Sequence, residues 1–183
     1  MAFDKIFESC EFDRICRELY GDFSHERRSA YLTLLDMHKK GLGYEPDGFY
    51  SASGRIEIVG NHTDHNGGKV LCASITVDTL GAVSKRNDGM IMVKSKGYPL
   101  IKVSVDDIDF KVGEVGTSTA IIKGILAYFK GAGKKVGGFN AYTTSSVPKG
   151  SGVSSSSAFE LLIAEILNSL YNDGKIDKVF KTN

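Results

Sequence analysis

Ala30, Tyr31, Leu34, Leu35 and His38 recur at helical spacing and form one stripe. Ser24-His25 and the polar Glu26-Arg27-Arg28 precede the stripe, and Gly41 and Gly43 follow it. This pattern predicts helix over residues 11–41. Tyr44-Glu45-Pro46-Asp47-Gly48 reads as a turn, after which the period changes to two. Residues 49–53 lead through Gly54 into 55–59, where Ile56 and Ile58 alternate with Arg55, Glu57 and Val59. That is the pattern of a strand with one apolar face. Residues 60–68 form a polar loop bounded by glycines. Residues 69–84 are rich in Val, Ile, Leu and Thr and read as strand. Asn87-Asp88-Gly89 is a hairpin turn into a returning strand at 90–94, and 100–105 predicts another.

The second half of the chain is read the same way. Residues 117–130 predict a helix stopped by Gly131-Ala132-Gly133, and 138–146 a strand carrying Phe139, Ala141 and Tyr142. After the loop 147–152 comes a long helix, 154–171, apolar almost all round. Such a helix is normally buried centrally. The order of helix, a block of strands, helix, strand and helix predicts an α+β fold, with helices packed on a mixed or antiparallel sheet.

Composition narrows the class. The 183 residues, 42% hydrophobic and 25% charged, suit one globular domain. A net charge of +1 points to neither nucleic acid nor an anionic membrane as partner. The longest apolar-rich run, 158–170, is interrupted by Glu160, Glu165, Asn168 and Ser169, and is too short and polar for a bilayer. Cys10, Cys16 and Cys72 are odd in number and form no CxxC pair, and the chain opens with charged residues. A reduced, cytoplasmic protein without disulfides is expected.

Two stretches carry candidate chemistry. The first is Pro148-Lys149-Gly150-Ser151-Gly152-Val153-Ser154-Ser155-Ser156, between a predicted strand and the apolar helix. Its glycines allow close backbone approach, and a helix start offers unpaired N–H groups and the positive dipole end to a phosphate. Its hydroxyls are oxygen ligands of the kind Mg²⁺ takes. No Lys follows Gly152, so this is not the Walker pattern. The bland alternative is a flexible Gly/Ser loop with a serine N-cap. The second stretch is Asn61-His62-Thr63-Asp64-His65-Asn66, between Gly60 and Gly67-Gly68. Asp64 can accept from two vicinal hydroxyls, and Asn61 and His62 can donate or accept, as sugar recognition requires. A metal held by His62, Asp64 and His65, or a plain polar turn, are the other readings. Arg55 precedes this loop and could steady a phosphoryl group in transfer.

Together the stretches 54–68 and 148–156 resemble the galactokinase branch of the GHMP small-molecule kinases, in order, separation and strand–loop–helix setting. The resemblance covers about residues 25–175. It implies an N-terminal domain, 1–183, of the ribosomal-protein S5 domain 2-like type. It implies ATP- and Mg²⁺-dependent phosphorylation of a hexose at its anomeric hydroxyl, most simply galactose to galactose 1-phosphate. In that family pattern Arg55 matches the transition-state arginine. Asn61, His62, Thr63 and Asp64 match the sugar pocket. Gly150, Ser151, Gly152, Val153, Ser154, Ser155 and Ser156 match the phosphate loop, with Ser156 near the metal. Ser95 or Lys96 falls near the nucleotide. Asn61 stands where the family usually has Glu, which bears on sugar preference. A catalytic aspartate and a C-terminal domain of the family have no counterpart in these residues. An N-terminal portion, inactive alone and prone to self-associate through an uncovered face, is therefore expected. A kinase for another small alcohol and a non-catalytic sugar or ATP sensor share the same motifs.

Overall fold

The structure, a computed structural model, describes residues 3–60, 63, 66–109, 111–148 and 152–182. Three helices open the chain: α1 (Phe3–Phe7), α2 (Cys10–Tyr20) and α3 (Ser24–Leu42). The single helical region expected over 11–41 is thus broken. Gly21 takes φ 56°, and a 3-10 turn, Gly21–Phe23, redirects the chain before α3. The stripe on α3 behaves as its spacing predicts: Leu34, Leu35 and His38 are buried.

Four strands follow: β1 (Gly48–Val59), β2 (Leu71–Lys85), β3 (Met90–Ser95) and β4 (Leu100–Ser104). Then come α4 (Ser118–Gly131), β5 (Phe139–Ser145), α5 (Ser155–Tyr171) and a short α6 (Lys178–Thr182). The strands form one mixed sheet in the order β1-β2-β5-β3-β4, so the hairpin expected at Asn87-Asp88-Gly89 is corrected: the turn joins β2 to β3, but β5 is inserted between them and pairs with both. All described pairings are antiparallel except β3 with β5. The fold is α+β, as the order of elements predicts.

The sheet lies between two helical layers. On one face α4 and α5 pack over a core that includes Val83, Val93, Leu126, Phe139, Leu162 and Ile166. On the other, α3 covers Leu80 and Ala82 with Leu34. Because β2 is covered on both faces, it is buried continuously from Asp78 to Ser84. α5 buries Ala158, Leu162, Ile163, Ala164, Ile166 and Leu167, consistent with its predicted central position.

The strand expected over 55–59 is present within β1, but its apolar face is left uncovered. Ile56 and Ile58 are exposed, Ile58 by 59%. The reason is register: β5 pairs with β2 only from Thr79 to Lys85, so the outer halves of β1 and β2 run on as a two-stranded ribbon. Among the described residues no helix is long and apolar enough to cross a membrane.

Candidate active site

The two motif-bearing segments meet. The Arg55 N–H donates to the Val153 carbonyl at 3.2 Å, which joins β1 to the loop ahead of α5. The approach is close enough to favour Gly54. A Cβ there would lie 3.2 Å from both the Val153 oxygen and the Ile75 side chain. It falls at an irregularity in β1, where the register with β2 shifts between Ser53 and Arg55. Such bulges bend a strand and re-aim its side chains. Arg55 itself is half-buried.

The start of α5 is built to leave donors open. Gly152 has φ 75°, and Ser154, at the N-cap, has φ 60° and ψ 50°, a left-handed conformation that non-glycine residues rarely adopt. Its side chain caps nothing. The serine N-cap of the bland alternative is therefore present in position but not in bonding. Ser155 is half-buried, and Ser156 is exposed at the helix start. An uncapped helix N-terminus with clustered hydroxyls suits an anion and oxygen-ligated Mg²⁺ chemically. Among the described residues no group of three His, Cys, Asp or Glu could hold a metal ion.

Ser95 ends β3, beside Thr143 of the parallel β5, with their hydroxyls 2.6 Å apart. The Lys96 N–H donates to the Thr143 carbonyl at 2.9 Å, and Lys96 is exposed. Since β3 and β5 run in the same direction, Ser95 and the loop after β5 leave the sheet at one edge. Open α/β sheets commonly bind ligands beyond the carboxyl ends of such strands.

In the polar loop Thr63 is exposed. Its hydroxyl donates to the Gly60 carbonyl at 2.7 Å, and its own carbonyl accepts from the Asn66 and Gly68 N–H groups. Thr63 therefore shapes the loop. Asn61, His62, Asp64 and His65 lie outside the described residues, as do Lys149, Gly150 and Ser151. The sugar-pocket and metal readings of the polar loop rest on them.

Sequence reasoning passed over one cluster beneath this junction. Asp78, on β2, is buried and forms an ion pair with Arg27 of α3. It also accepts from the Tyr20 and Ser51 hydroxyls. The only local signal was an acid inside an otherwise apolar strand pattern.

The galactokinase galactose-binding signature matches residues 36–85, and the GHMP kinases N terminal domain matches residues 120–181. Together the two cover more than half of the chain. Fold and matches define a GHMP kinase N-terminal domain. A mevalonate kinase of Methanococcus jannaschii shares this fold, with a TM-score of 0.59 at 13% identity over 73% of this chain and 43% of that one. Closer in sequence, the chain is 39% identical to a galactokinase of Clostridium tetani over 130 residues, 71% of this chain and 33% of that protein. It superposes on a Lactococcus lactis galactokinase, solved complexed with galactose, with a TM-score of 0.73 at 29% identity. That match covers 83% of this chain and 40% of the other. Within the GHMP kinases the chain belongs to the galactokinase family. It spans about a third of the length of the curated relatives it matches.

Proposed function

We propose that this chain supplies the sugar-facing strand and the phosphate loop of a galactokinase, which transfers the γ-phosphoryl group of ATP to the anomeric hydroxyl of galactose. The observation that carries the reading is the Arg55 N–H to Val153 carbonyl bond, which puts the galactose-signature strand against the glycine/serine loop. A phosphoryl group in transfer is stabilised mainly by positioning and by fixed charge. Arg55 provides a permanent cation at the junction. The N–H groups and hydroxyls of Gly150 to Ser156 cradle the triphosphate, and Ser95 lines the nucleotide side. Asn61, His62, Thr63 and Asp64 address the sugar hydroxyls. Mg²⁺, held with the help of Ser156, neutralises charge on the phosphates when bound. The protein acts in the cytoplasm.

Binding is the informative readout for a chain of this length. Thermal melting is to be followed with galactose, with glucose and with Mg·ATP. A ligand at 100 times its dissociation constant stabilises by about 2.7 kcal/mol. Stabilisation by galactose and by Mg·ATP, but not by glucose, is expected. Stabilisation by mevalonate or homoserine instead of galactose moves the reading to another GHMP substrate. No response to any of these ligands removes it.

A further inference from the structure

The cluster around Asp78 has no part in the reading above, yet it touches both walls of the site. Asp78 is 1% exposed. One carboxylate oxygen pairs with Arg27, and the other accepts from Tyr20 at 2.9 Å and from Ser51 at 2.6 Å. Burial pushes the Tyr20 phenol up, so it remains a proton donor. The backbone of the same residue is bonded on its other side. The Asp78 N–H donates to Ser146 Oγ at 3.0 Å, and the Ser146 N–H donates to the Asp78 carbonyl at 2.9 Å.

These partners sit in telling places. Ser51 lies four residues ahead of Arg55 on β1. Ser146 opens the loop that runs to Val153, the acceptor of the Arg55 N–H. Asp78 faces Ser53 in the last regular pair before the β1 irregularity; beyond it Arg55 pairs with Ser74. One buried residue of β2 thus ties the others to the junction: its carboxylate holds α2, α3 and β1, and its backbone holds the exit of β5.

Stability is a poor account of such a cluster. Buried ion pairs lose their hydration, and well-packed apolar residues of similar volume commonly serve the fold as well. Arg27 Nε is buried without a partner among the described residues, a further cost. What a charged, directional cluster provides is a single geometry.

We propose that Asp78 is a positioning residue of this site: its carboxylate, held by Ser51, Tyr20 and Arg27, sets where its backbone meets Ser146, and so fixes the spacing between Arg55 and the glycine/serine loop. The catalytic purpose of that spacing rests on the proposed function, but the spacing can be measured without any ligand.

The test is amide hydrogen exchange on the whole chain, read at Arg55 and Ser146 against core amides of Leu126 and Ile163. In Asp78→Asn, exchange at Arg55 and Ser146 is expected to rise at least tenfold more than at the core amides. The apolar pair Arg27→Met/Asp78→Leu is expected to melt near the wild type while Arg55 still exchanges fast. A uniform change at all four amides, or none, overturns the proposal. If Asp78→Asn does not fold, Tyr20→Phe and the apolar pair carry the same comparison, with a smaller selective rise expected for Tyr20→Phe. Melting of the same variants with Mg·ATP and galactose separates the two ideas. No ligand response in the wild type with a selective exchange effect removes the function and keeps the positioning role. Ligand response in wild type and Asp78→Asn alike, without selective exchange, does the reverse.

Discussion

Helices α4 and α5 lie side by side on one face of the sheet and begin in opposite ways. At α4, Gly116 takes φ 75°, Thr117 follows in extended conformation, and its hydroxyl oxygen accepts from the Ala120 N–H at 3.3 Å. That is an ordinary self-capped start. At α5, Gly152 also takes φ 75°, but Ser154 follows in the left-handed region and caps nothing. A left-handed non-glycine residue costs about 1–2 kcal/mol, and an uncapped first turn forgoes a further stabilisation of about 1 kcal/mol. A start that serves the fold satisfies its own donors. A start that keeps them open, next to Arg55, suits a ligand that will satisfy them.

The comparison is sharpened first by showing that the two helices are alike in their bodies. Leu126→Ala in α4 and Ile163→Ala in α5 each remove a fully buried side chain. Each is expected to destabilise by about 2–5 kcal/mol in urea unfolding. A large inequality would mean that the helices differ throughout and not only at their starts.

Acid gives a control that touches neither start. His38 is 0% exposed on the opposite face. Its Nδ1 donates to the Tyr44 carbonyl, which leaves Nε2 to accept from Ser84 at 3.1 Å. Burial, opposed by the Tyr44 bond and the charge of Asp47, holds its pKa below the ordinary 6.5. The unfolded chain therefore takes the proton first. The stabilisation is complete above pH 6.5 and is lost as pH falls, at no more than about 1.4 kcal/mol per unit. His38→Gln should flatten that part of the stability–pH curve. A curve unchanged by the substitution would exclude His38 as its source.

At the starts themselves, Thr117→Ala is expected to destabilise by about 1 kcal/mol, and Ser154→Ala by less than about 0.5 kcal/mol. The reverse ranking, measured by urea unfolding, breaks the comparison. The smallest effect belongs to Ser154→Gly. Relief of the left-handed backbone should leave stability equal or raised by less than about 1 kcal/mol. The same change should weaken stabilisation by Mg·ATP, because a hydroxyl of the loop is gone.

Much of this was legible in the chain. The stripe Ala30, Tyr31, Leu34, Leu35 and His38 was read as one helical stripe because helical spacing is local. The turn at Asn87-Asp88-Gly89 is local too, but the hairpin expected from it does not form: β5, from about 50 residues further on, lies between β2 and β3. Arg55 and the stretch from Gly152 to Ser156 were legible as motifs. The break at Gly21 was missed because the surrounding pattern is helical on both sides and a lone glycine is often tolerated in a helix. Ile56 and Ile58 were read as the apolar face of a strand, but alternation reports two faces without saying which one another layer will cover.

By itself the sequence determined the elements, their order and the two motifs, since each depends on neighbours within a few turns or one strand. Tertiary structure alone decided that Arg55 meets Val153, and that Asp78 finds Arg27, Tyr20, Ser51 and Ser146. The partners of Asp78 lie 27 to 68 residues away along the chain, and Val153 lies 98 residues from Arg55. No local pattern encodes a contact that exists only once strand register and helix packing have brought distant residues together.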